Sequence, residues 1–137
     1  MLDTNVVVAA MRSPTGASAE LLRMARRGEV ALLASVALAL EYEATCRLEN
    51  HMLAADLDPE EVGVFIDGVL AMAEPVEAHF LWRPQLRDPA DELVLEAAVN
   101  GRAEAIVTFN RRDFGAAPAR FGVAVLIPAD AIRRIRG

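Results

Sequence analysis

Lysine is absent from this sequence, and all 14 basic residues are arginine. That removes a phosphate-loop lysine, a Schiff-base lysine and any lysine-assisted phosphoryl transfer. Codon bias in a GC-rich genome explains the absence, and the alanine content, equally well; the exclusions hold either way. Cysteine is almost as scarce. Cys46 stands alone, so no internal disulfide can form, in keeping with a reducing compartment. Its simplest role is a small buried apolar side chain on a helix. Histidine occurs only as His51 and His79. No ligand spacing links them to Cys46, which disfavours zinc, and neither has a nucleophile beside it, so both read as structural or surface groups. No apolar run reaches membrane-spanning length, and Met1-Leu2-Asp3 carries an acid where a secretory signal carries basic residues. A soluble, cytoplasmic protein is expected. Positive charge is also short: the net charge is −6, so any nucleic acid must be held by a local basic patch or through bound cations.

What is present suits one compact unit. A chain of 137 residues, 54% hydrophobic, favours a single domain spanning 1–137 with a substantial core. Aromatics at 5%, beside many Ala, Val and Leu, fit an α/β core better than a β-sandwich. No repeat, low-complexity tract or linker interrupts it. Met1-Leu2 reads as the end of a first strand, with Val6-Val7-Val8 continuing or turning out of it. Ser13-Pro14-Thr15-Gly16 is a turn, and a helix from Ser18 to Arg27 is stopped by Gly28. Val30–Leu33 is a second strand, after which Ser35 caps one long helix from about Val36 to about Leu53. Asp58-Pro59-Glu60-Glu61 starts a helix reaching about Ala73. Pro75–Leu81 is predicted as the third strand. Asp88-Pro89-Ala90-Asp91 repeats the start signature, for a helix ending at Asn100-Gly101. Ala105–Thr108 is the fourth strand, Asn110–Asp113 a turn, Val123–Ile127 the fifth strand, and Pro128 opens a basic terminal helix. Alternating strands and helices predict a three-layer α/β/α fold around a parallel, roughly five-stranded sheet.

Ligands in such sheets sit beyond the carboxyl ends of the strands. Asp3-Thr4-Asn5 and Thr108-Phe109-Asn110 fall there, directly after apolar strands. Asp3 follows its strand too abruptly for a simple cap. Glu41 emerges from Val36-Ala37-Leu38-Ala39-Leu40, a stretch apolar all round and therefore expected to be buried, where a carboxylate needs a partner. Asp88 is most simply an N-cap. Asp91, in the first turn, can complement the helix dipole and close a capping box. Asp113 would ordinarily serve a capped turn. Each acid is unremarkable alone. Together they matter, because carboxylates about 4 Å apart repel by roughly 4 kcal/mol at an effective dielectric near 20, and only protonation or a shared cation relieves that. Oxygen-only donors select hard ions such as Mg²⁺ or Mn²⁺.

These residues, in this order, resemble the PIN-domain nucleases, especially VapC-like toxins of type II toxin–antitoxin modules. The matching stretches are Leu2-Asp3-Thr4-Asn5, Ser13–Ser18, Leu40-Glu41-Tyr42, Asp88–Glu92 leading through Ala97-Ala98 and Gly101 to Ala103, and Ile106–Phe114. The resemblance covers nearly the whole chain. It implies a five-stranded parallel sheet between helices and Mg²⁺- or Mn²⁺-dependent cleavage of RNA. The carboxylate tetrad would fall on Asp3, Glu41, Asp91 and an acid in the Thr108–Asp113 turn, Asp113 being the acid there. Thr4, Asn5, Asp88 and Thr108 would support it, and Arg111 and Arg112 could grip neighbouring phosphates. Asn110 stands where many relatives have Asp, which leaves the fourth ligand to Asp113 or to a water. A protein antitoxin and a homodimer are the implied partners, and the apolar helices at Ser35–Leu53 and Asp58–Ala73 would suit such interfaces. The competing reading is a PIN-like module that binds RNA or a partner without cutting; Asn110 and the negative charge favour it. A phosphatase or receiver-type phosphoacceptor needs a second acid two residues after Asp3, or a lysine, and has neither. A dinucleotide-binding domain lacks its glycine-rich turn.

Overall fold

The computed structural model describes residues 1–77 and 85–137. Thirteen elements follow one another in the described residues. They are α1 (Thr4–Arg12), α2 (Ala17–Arg26), β1 (Leu32–Ala34), α3 (Val36–Cys46), α4 (Glu49–Ala55), α5 (Pro59–Met72) and β2 (Ala73–Pro75). After these come α6 (Pro89–Asn100), β3 (Ala105–Val107), α7 (Arg111–Phe114), α8 (Ala117–Arg120), β4 (Ala124–Leu126) and α9 (Pro128–Arg136). The α/β class is as expected. Among the described residues the strands form two short parallel pairs, β1–β2 and β3–β4, rather than one continuous sheet.

A short segment at the start joins the second pair. Leu2 bridges Val107 in parallel, with the Val107 amide donating to the Met1 carbonyl and the Asp3 amide donating to Val107. The next amide, Thr108, donates the other way, to Leu126 in β4. Successive residues of a strand face opposite edges, so β3 lies between the opening segment and β4. The Leu2 carbonyl faces away from β3, and the buried Tyr42 hydroxyl donates to it. The expected strand Pro75–Leu81 begins earlier, as β2 directly after α5; positions 78–81 lie outside the described residues, as does His79.

Three further local readings are corrected. Val6, Val7 and Val8 do not extend the first strand, because Asp3 caps a helix at Thr4 and carries them into the core face of α1. The long helix from Val36 to Leu53 is two helices: Leu48 adopts an extended backbone (φ −62°, ψ 136°) and α4 restarts at Glu49, an acid suited to a first turn. The Asn110–Asp113 turn closes into the single helical turn α7. Other start and stop signals act as read. Ser35 Oγ accepts from the Leu38 amide at 3.1 Å, and Asp58 with Glu61 closes a complete capping box on α5. Gly28 takes φ +78° to end α2, a conformation a side chain would resist. Gly101 ends α6 at an ordinary φ; there the need is room, since a Cβ would stand 2.8 Å from Val76.

The core gathers Val6, Val7, Leu38, Ile66, Leu95, Ile106 and Phe114, all fully or nearly fully buried. It lies where α1 packs on α2 and α3 and where α6 packs on β3. Cys46 is buried there and burial pushes its thiol up to about 11, so it behaves as an inert apolar side chain. Among the described residues no helix is long and apolar enough to cross a membrane.

Candidate active site

Two chain segments leave the sheet side by side, Asp3 after Leu2 and Thr108 after β3, and they are wired together at once. Asp3 is only 7% exposed. Its Oδ1 accepts from the Thr4 amide at 2.8 Å, and its Oδ2 accepts from Thr108 Oγ1 at 2.7 Å. The Thr108 hydroxyl also accepts from the Asn110 amide at 3.0 Å and from Asn5 Nδ2 at 3.4 Å, while Asn5 Oδ1 accepts from the Phe109 amide at 3.4 Å. One donor and two acceptor positions exhaust a hydroxyl, so the Thr108 proton is committed to Asp3. A carboxylate has about four lone-pair positions. Two of those on Asp3 are used by these bonds.

Other acids reach the same place. Burial is the main cause that raises the Asp3 pKa, against the lowering effect of its bonds to Thr108 and Thr4; the charges of Asp113 and Asp88 raise it further. Asp91 is pushed up to about 6, first by burial and then by the charges of Asp3, Asp88 and Asp113. Carboxylates from three separate stretches of chain thus bear on Asp3 and Asp91. Asp88 caps α6 through the Ala90 amide at 2.8 Å. Asp91 does not close a capping box, in contrast to expectation. Its neighbour Glu92 turns instead to the Gln85 and Leu86 amides (2.8–3.1 Å), leaving Asp91 facing a cavity of about 490 Å³ that Asp88, Arg112, Asp113 and Arg120 also line.

Glu41 is half-buried, accepts from Thr45 Oγ1 at 3.4 Å, and lines a second cavity with Thr4 and Asn5, the two residues after Asp3. The burial argument that marked it out is corrected. The helix around it is not buried all round, for Val36 is 77% and Leu40 61% exposed; only Leu38, Tyr42 and Cys46 face the core. Asn110 precedes α7 without capping it by its side chain, and it is exposed, as are Arg111, Arg112 and Asp113.

The donor set is oxygen-only, which matches a hard divalent cation, and Asp3 and Asp91, both raised by burial and by neighbouring carboxylates, mark a place where such a charge would be welcome. Among the described residues, no three His, Cys, Asp or Glu side chains converge closely enough to ligate a metal as they stand. Like charges with no cation between them stay apart, so convergence would accompany binding. Sequence reasoning treated Asp88 as a cap in support, and its charge on both Asp3 and Asp91 was not foreseen; nothing in a DPxD signature reveals what lies across from it.

The structure defines an α/β protein with a buried and a half-buried carboxylate, Asp3 and Asp91, bearing on one another's surroundings beyond its parallel strands. The chain belongs to the PIN-domain family, whose model matches residues 1–112, and PIN domains are in general nucleases. No curated protein and no solved structure matched the chain.

Proposed function

We propose that this PIN domain is a divalent-metal-dependent endoribonuclease of the VapC-like toxin kind, occupying residues 1–137 as one domain. The observation that carries the reading is that the charges of Asp88 and Asp113 raise the pKa values of both Asp3, buried after Leu2, and Asp91, which shares a cavity with Asp88 and Asp113. Asp3, Asp91 and Asp113 would hold Mg²⁺ or Mn²⁺, with Glu41 as the fourth carboxylate, approaching from α3 past Thr4 and Asn5. When bound, the ion would lower the pKa of a water and offset charge developing on the scissile phosphate.

The chain's own part is positional. Thr108 and the Thr4 amide favour the ionised form of Asp3 and fix its orientation. Asp113, exposed on α7, is free to orient an attacking water, and Arg111 and Arg112 bind neighbouring phosphates. Asn5 and Asn110 bear on Thr108 and so tie the two loops together. The two strand pairs and the Met1–Asp3 segment supply the five strands of a single parallel sheet in this reading. The exposed apolar side chains of Val36, Leu40, Leu53 and Val64 on α3–α5 suit an antitoxin and a second copy of the chain, and a lone buried cysteine suits the cytoplasm.

The test is cleavage of single-stranded RNA in Mg²⁺ or Mn²⁺. Activity is expected to vanish in EDTA and in Asp3→Ala. Persistent cleavage in either condition overturns the reading. One observation favours the non-catalytic alternative: Asn110, beside Thr108, brings no charge. That alternative is supported by RNA binding that chelator leaves unchanged, with no cleavage across varied RNAs.

A further inference from the structure

The second cavity, about 530 Å³, opens between α1 and the α3–α4 region and is of a size that takes a small ligand. Its polar wall carries Arg12, Glu41, Thr45 and His51, over an apolar floor of Val8 and Ala9. Arg12 Nη1 lies 3.3 Å from His51 Nδ1. A guanidinium can only donate, so Nδ1 must be the accepting nitrogen and the ring proton sits on Nε2. Both side chains are thereby oriented, and the pair offers a guanidinium and a ring N–H to whatever enters.

Arg12 differs from most arginines on the neighbouring helices. Arg23, Arg27 and Arg136 are tied to Glu20, Arg47 to Glu43 and Arg133 to Asp130. Among the described residues no carboxylate forms an ion pair with Arg12. In a protein of net charge −6, an exposed cation on a cavity rim, held by a neutral imidazole and by no carboxylate ion pair among the described residues, is available to an anion. It is also in line with the acidic site. Arg12 sits nine residues after Asp3 on the helix Asp3 caps, about 13 Å along its axis. Thr4 and Asn5 line this cavity too and connect the two places.

We propose that Arg12 and His51 form a nucleotide subsite for single-stranded RNA at a distance from the scissile bond, Arg12 on a backbone phosphate and the His51 ring against a base. Stacking on an aromatic ring and a guanidinium contact are the usual means of holding an unpaired nucleotide. The proposal rests on the ribonuclease reading for its substrate class.

The test measures binding and cleavage separately, on a short single-stranded oligoribonucleotide. Binding is read by fluorescence anisotropy in EDTA across a salt series, with Arg12→Gln, His51→Ala and, as a surface control, Arg26→Gln. Arg12→Gln is expected to weaken binding about tenfold and to reduce the salt slope by about one. His51→Ala is expected to weaken binding with little change in slope, and Arg26→Gln to leave both unchanged. In Mg²⁺, Arg12→Gln is expected to raise KM and leave kcat within about twofold. Binding and KM that stay at the wild-type level in Arg12→Gln, with cleavage intact, overturn the subsite and leave the nuclease reading standing. Arg12-dependent binding without cleavage by the wild type upholds the subsite and overturns the nuclease reading.

Discussion

Two helices begin with nearly the same four letters, Asp58-Pro59-Glu60-Glu61 and Asp88-Pro89-Ala90-Asp91, and the structure uses them differently. At α5 the code is spent locally: Asp58 accepts from the Glu61 amide at 2.8 Å and Glu61 returns the bond to the Asp58 amide at 3.1 Å. At α6 the capping is partial. Asp88 holds the Ala90 amide, Glu92 serves the chain before the helix, and Asp91 is left on a cavity with Asp113, its pKa raised by burial and by the charges of Asp3, Asp88 and Asp113. The same local signature therefore closes a capping box at α5 and leaves a carboxylate on a cavity among other charges at α6. The difference comes from what stands opposite, which in α6 is the end of a parallel strand.

The largest effect should come from exchanging the fourth letters' charge. Asp91→Asn is expected to reduce RNA cleavage by about a hundredfold or more while raising the melting temperature of metal-free protein, because it removes a repelling charge. Loss of activity with a lowered melting temperature would show that Asp91 serves structure. Thr108→Val attacks the opposite wall. It removes the donor to Asp3 and the acceptor for the Asn110 amide, and should destabilise the fold by roughly 1–3 kcal/mol in a denaturant titration, with activity falling at least in step. Glu61→Gln should cost under about 1 kcal/mol by the same titration and leave cleavage unchanged. If it altered cleavage, the contrast between the two signatures would fail.

The subtlest effect is on pH. The Asp91 pKa is raised to about 6 from 3.8, so its ionised form is the one the fold disfavours. Its destabilising contribution is full above about 6 and is relieved as pH falls through that value toward 4. Metal-free wild type should accordingly gain stability relative to Asp91→Asn between pH 7 and pH 5. A gap between the two melting curves that is constant with pH would contradict the shift.

Much of this was legible beforehand. Ser35, Asp58, Gly28 and Gly101 marked element ends through local chemistry, and Asp3 with Thr108 stood out because polar residues followed apolar strands. The failures are equally physical. Val6–Val8 has strand propensity, but the Asp3 cap commits it to a helix. The break at Leu48 has no glycine or proline to announce it. The partner of the Leu2 carbonyl is the Tyr42 hydroxyl, forty residues away in sequence. Glu41 was placed by an assumed burial that the exposed Val36 and Leu40 do not support, and the pairing of Arg12 with His51 follows no periodicity at all.

The central claim is that Asp3, Asp91 and Asp113 share one divalent cation. The direct measurement is the melting temperature of wild type and Asp91→Asn as Mg²⁺ is titrated. A ligand bound only by the native state adds about 2.7 kcal/mol at a hundred times its Kd, so the wild-type curve should climb with Mg²⁺ while that of Asp91→Asn stays nearly flat over the same range. Wild-type melting indifferent to Mg²⁺, or two curves that climb together, would contradict it.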